Sequence, residues 1–364
     1  MHSTTSSMKL AVLVPAHNEE DNLPLSLPGA IEQVGSENVY VVDDNSSDGT
    51  AEVALKYVPS VYSTARGGKG AAVLAGMEHF DLIDRYEGVL VLDADSRLMA
   101  SAMARYEEEL GEGVAAVVGH LRVLGFQRGP IAAWRRHLYF YMTAVYLRGA
   151  VAYGGGLPVT PGFCTVYSTN ALKKLDLDPA APTEDIDFCW QIHRKRLGKI
   201  VYAPRAYVET GVPVNLEDYL KQIKRWDRGW QYAIRKHRMP LGFQWVDLVA
   251  GLMSLEMLIA WLRAALLLLV LVTSFVFGVN LTIFGYGAAT LLAASFGFDA
   301  AWLVGMGLIS SLALRDWRMA PWVVLFPLFF FLDQVVNLYS AITLRRGLNA
   351  VWKPPERAKE EVLV

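Results

Sequence analysis

"VLVLDADSRL", residues 89–98, decides how this chain is read. Val89, Leu90, Val91 and Leu92 form an apolar run of the kind that builds a strand buried on both faces. The run then meets Asp93 and Asp95. Residues two apart on a strand share a face, so the spacing predicts two carboxylates side by side. Such charges repel, and burying either one is costly without a compensating partner. A divalent cation between them is one resolution. Mg²⁺ or Mn²⁺ takes one or two carboxylates and fills its shell with phosphate oxygens. A solvated strand end with a helix cap at Ser96 is the other, and Asp-x-Asp alone does not separate the two.

The neighbouring sequence gives these aspartates a setting. "LAVLVP" (10–15), "VYVVD" (39–43), "VYST" (61–64) and "VAAVVG" (114–119) read as further buried strands. Helical stretches lie between them near 21–33, 50–57, 69–80 and 98–110. This βαβα rhythm predicts a mostly parallel sheet with helices on both faces. Ligands on such sheets bind at the carboxyl ends of the strands. Three strands end in polar clusters: "PAHNEE" (15–20), "DDNSSDGT" (43–50) and "DADS" (93–96). All three are expected to line one crevice.

The chain has 364 residues, 53% of them hydrophobic, and a net charge of −2. The apolar excess is concentrated: residues 241–344 hold only eight charged side chains in 104. That density reads as membrane-embedded. Apolar segments at 250–277, 281–298, 300–314 and 320–343 predict four crossings. An even number agrees with a basic tail (Arg345, Arg346, Lys353, Arg357, Lys359) and with a catalytic domain that carries no signal peptide, both expected to be cytoplasmic. This count leaves Arg315 and Arg318 outside. Glu256 and Arg263, seven apart, are expected to share a helix face. Residues 130–150 read either as an interfacial amphipathic helix or as a core-facing one. Residues 214–238 read as a basic helix close to anionic lipid headgroups. The organisation expected is a disordered stretch at 1–8, a catalytic domain at 9–240, membrane helices at 241–344 and a tail at 345–364. Cys164 and Cys189 show neither a disulfide framework nor metal-ligand spacing. No nucleic-acid partner is expected.

Four short motifs carry possible chemistry, each with a plain structural account beside it. Asp43 and Asp44 can accept hydrogen bonds from a base edge or a ribose, or belong to a loop capped by Ser47 and Asp48. "RGGKGAA" (66–72) offers glycines for close backbone approach and Lys69 for a phosphate, without P-loop spacing; a strand-to-helix turn explains it equally. In "PTEDIDFCW" (182–190), Thr183 can cap a helix whose first turn favours acids, or Asp185 can act as a general base. "QIKRW" (222–226) places Gln222 and Trp226 on one helix face. Arg225 there can neutralise a leaving diphosphate, or the segment can be an interfacial helix with a Trp anchor.

Taken in order, "PAHNEE", "DD", "GGKGAA", "DAD", "PVTPGFCTVYSTNAL" (158–172), "TED" (183–185) and "QIKRW" resemble glycosyltransferase family 2 over residues 9–230. The pattern is similar to the cellulose, chitin and hyaluronan synthases and the ceramide glucosyltransferases. The resemblance implies an α/β GT-A type cytosolic domain, with a Rossmann-like, mostly parallel sheet, followed by an all-α transmembrane region. It implies inverting transfer from a nucleotide-sugar, most often a UDP-sugar, to a membrane-presented acceptor, forming a β-glycosidic bond. By matching position, Asp185 would be the base. Pro15, Asn18, Glu19, Asp43, Asp44, Lys69, Asp93, Gln222 and Arg225 would hold the nucleotide-sugar. Gly162, Glu184 and Trp226 would shape the acceptor site, and Asp95 with Asp93 would bind Mg²⁺ or Mn²⁺. The TED-to-QIKRW pair favours polymer synthases and ceramide-type enzymes over dolichyl-phosphate sugar synthases, which lack it. Polysaccharide synthases usually carry membrane helices before the domain, and none is seen here, which tilts the acceptor toward a lipid. A processive polysaccharide synthase is the alternative, its channel built from the C-terminal helices or from a homo-oligomer. Two other classes compete. A nucleotidyltransferase needs no membrane region. A vestigial membrane scaffold or transporter sits poorly with intact Asp95, Asp185 and Arg225.

Overall fold

The structure is a computed structural model, described here for residues 9–149, 156–176, 178, 181–239, 241–278, 282–283 and 286–343. The expectations for residues 1–8, for 154–155 of the glycine-rich loop and for the tail at 345–364 lie outside the described residues.

The apolar runs become strands because both of their faces are covered. Strands β1 (Leu10–Ala16), β2 (Val39–Asp43), β3 (Ser60–Ser63) and β4 (Gly88–Val91) pair in parallel in the order β3-β2-β1-β4. Every residue of β2 and β4 is buried. Helices α1 (Leu23–Val34), α2 (Thr50–Leu55) and α3 (Lys69–His79), with the short α4 (Leu82–Arg85), connect them. Four more strands complete an eight-stranded sheet: β5 (Ser96–Leu98), β6 (Val114–Val123), β7 (Thr165–Ser168) and β8 (Lys199–Thr210), in the order β4-β7-β6-β8-β5. Strand β7 runs antiparallel to both β4 and β6, while β6 and β8 are parallel. Strands β5, β7 and β8 escape the sequence reading. They are short or interrupted, with Pro204 and Arg205 in the middle of β8.

One premise about "DADS" changes. Strand β4 ends at Val91, and the Ser96 N–H donates to the Asp93 carbonyl at 2.8 Å. Asp93 and Asp95 therefore lie in the turn between β4 and β5, and strand alternation does not place them.

The remaining helices of the domain are α5 (Ala102–Glu109), α6 (Pro130–Phe140), α7 (Thr169–Leu172), α8 (Glu184–Lys195) and α9 (Leu216–His237). Helix α6 runs on as a π-helical stretch, Tyr141–Leu147. Of its two readings, α6 takes the core-facing one: Ile131, Ala133 and Trp134 are buried in a cluster with Tyr219, Ile223, Val323 and Phe326.

Among the described residues, three helices rather than the four expected are long and apolar enough to cross a membrane: α10 (Trp245–Phe277), α11 (Ala288–Ala313) and a segment at Ala320–Thr343 that ends in α12 (Phe326–Thr343). The expected segments at 281–298 and 300–314 merge in α11. Asp299, which appeared to divide them, sits on the helix and pairs with Arg263 of α10 at 2.6 Å. Ser295 takes a second bond from Arg263. Arg263 thus faces other protein, the neighbouring helix, as expected of a charged side chain in an apolar segment. At 1.5 Å per residue, α10 is about 50 Å long, well beyond a ~30 Å hydrocarbon core.

These helices are tied to the catalytic domain by polar contacts. Arg194 of α8 makes a two-pronged ion pair with Asp247 at the start of α10, at 2.6 and 2.7 Å. Arg136 of α6 pairs with Asp316 in the α11–α12 loop at 3.4 Å. That loop, with Arg315 and Arg318, therefore rests on the domain instead of lying outside. Helix α12 packs along α9, with Tyr219 bonding Asp333 and Asn337 bonding Asp227.

Candidate active site

Because β1, β2 and β4 are parallel, their carboxyl ends open on one edge. Ala16 is in register with Asp43, and Leu13 with Val91. The three polar clusters meet there. Much of the first two is spent on joining loops. Pro15, the last residue but one of its strand, lies opposite Val42. Asn18 receives the Ser47 N–H at 2.8 Å, the Glu19 N–H donates to Thr50 Oγ1 at 2.8 Å, and Asp43 receives the Ser46 N–H at 3.1 Å.

Asp44 turns inward. Its two oxygens accept the N–H groups of Gly67 and Gly68 at 2.7 and 2.8 Å, and it pairs with Arg66. The carboxylate expected on a nucleoside thus holds the "RGGKGAA" loop and so aims the start of α3. Arg66 was not singled out from sequence, since nothing marks it apart from Lys69.

Lys69, the first residue of α3, stands at the centre of the site. Its ammonium lies 2.7 Å from Asp93, 3.1 Å from Glu184 and 3.2 Å from the Gly162 carbonyl. Burial alone lowers the Lys69 pKa. Asp93, Glu184 and Asp185 outweigh burial, and the net shift is upward. The ammonium is therefore firmly charged and compensates three carboxylates from two distant segments.

Asp185 opens α8 beside it. The Gly162 N–H donates to Asp185 Oδ2 at 2.9 Å and the Ile186 N–H to Oδ1 at 2.8 Å. The Thr160 hydroxyl bonds the Asp185 carbonyl at 3.0 Å. Burial, then the charge of Glu184, pushes the Asp185 carboxyl up to about 6, against the pull of Lys69 and Arg225. A carboxyl poised near neutrality in a polar cluster suits proton transfer. Gly162 leaves little room for a side chain: a β-carbon there would lie 2.9 Å from Lys69 Nζ and 3.1 Å from Asp185 Oδ2.

Thr183 occupies the helix cap position but makes no side-chain cap bond. It packs against Gly229 of α9 instead, where a β-carbon would meet Thr183 Oγ1 at 1.9 Å. This close approach brings "QIKRW", one turn earlier on α9, over the start of α8. Arg225 is near enough to lower the Asp185 pKa. Gln222 accepts a 2.8 Å bond from Arg135 of α6, whose guanidinium also lies 4.5 Å from the Trp226 ring centre. Farther along, Asp187 binds His237, Lys236 and Gln191 and locks the far end of α9 to α8. Sequence reading missed Thr160, Gly229 and the contacts of Arg135, and it took Thr183 for a cap where the structure has it packing on Gly229.

Asp95 is 5% exposed, with the Ser96 hydroxyl 3.5 Å from one oxygen. No group of three or more His, Cys, Asp or Glu side chains shaped for a metal occurs among the described residues. Asp95 and Asp93 supply two carboxylates, a donor set that suits a cation taking the rest of its ligands from a diphosphate.

A sheet with one parallel and one mixed half, acids and a lysine on its edge and apolar helices behind it, is a GT-A-like domain. A mannosyltransferase from Pyrobaculum calidifontis, solved with GDP-Man and Mn²⁺, matches over 92% of this chain and 88% of its own, at TM-score 0.56 and 18% identity, which shows the shared fold. A family profile described as glycosyl transferase family 2 matches residues 11–176. Polyprenol monophosphomannose synthase of Mycolicibacterium smegmatis is 26% identical over 238 residues, 60% of this chain and 87% of that protein. Undecaprenyl-phosphate mannosyltransferase of Micrococcus luteus is 30% identical over 216 residues, 56% of this chain and 84% of that one. The chain belongs to glycosyltransferase family 2. The resemblance extends to enzymes named for lipid-phosphate acceptors, the group from which the TED-to-QIKRW pair had seemed to set it apart.

Proposed function

We propose that this enzyme transfers a hexose, with inversion, from a nucleoside-diphosphate sugar to a lipid acceptor held at the membrane. The observation that carries the reading is the placement of Asp185: raised to about 6, bonded by Gly162, flanked by Lys69 and within electrostatic reach of Arg225. In a single displacement the base and the leaving group lie on opposite faces of the sugar. Asp185 takes the proton of the acceptor hydroxyl as its oxygen attacks, and the new bond inverts the anomeric centre to β. Arg225 and Lys69 meet the charge that develops on the departing diphosphate. A divalent cation would fit at Asp95 and Asp93, and when bound it supplies further charge neutralisation there. The membrane-facing helices attach at the same wall, since α9 carries "QIKRW" on one face and packs on α12 with another. That favours an acceptor delivered from the bilayer.

The family resemblance points to UDP-sugars, and the mannosyl names of the relatives bring GDP-mannose into the same screen. The test is nucleoside diphosphate release by the full-length protein in liposomes. UDP- and GDP-sugars are offered with Mn²⁺ and ceramide, a hydroxyl-bearing lipid, or total lipid extract. Label in the organic phase supports lipid transfer; label in polymer would support the synthase alternative. Release from none of the donors would reject the reading.

A further inference from the structure

Arg135 is the most buried guanidinium in the described chain, at 2% exposure, and no chemistry has been assigned to it. It forms no ion pair within bonding distance among the described residues. Instead its Nη2 donates to Gln222 Oε1 at 2.8 Å, and its plane lies 4.8 Å from the Tyr219 ring centre and 4.5 Å from that of Trp226. Two of its three partners are the first and last residues of "QIKRW". The third is anchored in turn: the Tyr219 hydroxyl donates to Asp333 of α12 at 2.7 Å, and Trp134 Nε1 reaches the other Asp333 oxygen at 3.3 Å.

The chemistry of these contacts is directional. A glutamine amide has an accepting end and a donating end. With Oε1 held on a cation, the NH₂ end turns away from Arg135. An indole has two faces, and a guanidinium over one leaves the other for a ligand. We propose that Arg135 is a positioning residue for sugar transfer. It orients the Gln222 amide to donate toward the leaving diphosphate and holds the Trp226 ring as a platform for the acceptor. Asp333, on the apolar helix, steadies this arrangement through Tyr219 and Trp134. The bilayer-facing helix thus has a direct structural line to the transfer site. The inference rests on the proposed roles of Gln222 and Trp226.

Lysine in place of Arg135 keeps the charge but loses the planar fork and the stack. The experiment follows initial rates of reconstituted protein with UDP-glucose or GDP-mannose as donor and ceramide, a hydroxyl-bearing lipid, as acceptor. R135K is expected to lower kcat by about 10- to 100-fold and raise the acceptor KM several-fold, with the donor KM unchanged. R135K combined with Gln222→Met is expected to cost little more in kcat than Gln222→Met alone, because one side chain acts through the other. A purely structural arginine predicts multiplied effects and no KM split. Gln222→Glu covers the case in which R135K does not fold. It keeps an acceptor for Arg135, so the thermal midpoint should hold, yet it removes the outward N–H and should lower kcat at least 10-fold. Wild-type kinetics in R135K or in Gln222→Glu would overturn the proposal. A wild-type protein that releases no nucleoside diphosphate from any donor would instead defeat the reading beneath it.

Discussion

The contact between Thr183 and Gly229 sets the distance between Asp185, the proposed base, and Arg225, proposed to meet the leaving diphosphate, and Gly229→Ala tests it. A β-carbon at residue 229 would lie 1.9 Å from Thr183 Oγ1, 2.6 Å from Cγ2 and 2.8 Å from Cβ. Rotating Thr183 does not relieve this, since Cβ itself is too close. Helices α8 and α9 must part by about 1 Å before the worst contact becomes tolerable in a close-packed interior. Asp185 lies two residues after Thr183, and Arg225 one turn before Gly229, so both move with the gap. A misplacement of about 1 Å costs on the order of 10²-fold in rate, and the overpacking costs about 1–3 kcal/mol of stability. The assay is nucleoside diphosphate release, with a thermal melt in detergent as the folding control. The double variant Thr183→Gly, Gly229→Ala moves the missing side chain to the other helix. Thr183 makes no side-chain cap bond, so glycine there should cost only a few tenths of a kcal/mol. It is expected to recover most of the lost rate. A Gly229→Ala enzyme at wild-type rate, or a folded double variant that stays as slow as the single one, would refute the reasoning.

Other expectations follow from the same geometry. The rate at limiting substrate, kcat/KM, should rise with pH through about 6 and level off above, because Asp185 as the proposed base works only when ionised and burial has raised its pKa to about 6 in the free protein; a flat profile between pH 5 and 7.5 would exclude it as the titrating group. Chelation should abolish nucleoside diphosphate release, and Mn²⁺ or Mg²⁺ should restore it, as measured in the donor screen; full activity in excess chelator would remove the cation from Asp95 and Asp93. Arg194→Gln breaks the two-pronged pair with nearly buried Asp247, so stability should fall by about 3 kcal/mol, seen as a lower thermal midpoint. An unchanged midpoint would mean that the clamp on α10 contributes nothing.

How much of this was legible depended on how local each signal is. Strands β1, β2 and β4 announce themselves as unbroken apolar runs, because burial on both faces demands them. Their parallel pairing then brings "PAHNEE", "DDNSSDGT" and "DADS" to one edge without further information. Pairing of the "TED" and "QIKRW" segments could be expected from the family pattern, but the reason for it lies in Gly229, whose role appears only when a second helix is placed against it. The orientation of Asp44 was equally hidden. A pair of aspartates at a strand end looks the same whether its carboxylate faces a ligand or the amides of Gly67 and Gly68. Arg135 lies 87 positions before Gln222, and no periodicity links them. The apolar region shows the same limit in reverse. Asp299 reads as a break between two spans until Arg263 on the neighbouring helix supplies its partner. Strand β8 was lost to Pro204 and Arg205, which a strand tolerates here beside the irregular register with β6.

The most direct measurement compares Asp185→Asn with the wild-type enzyme in liposomes, reading nucleoside diphosphate affinity and sugar transfer on the same preparation. The account predicts unchanged nucleotide affinity and a loss of turnover of about 10²–10⁴-fold. Transfer at close to the wild-type rate by a variant that cannot accept the proton would contradict it.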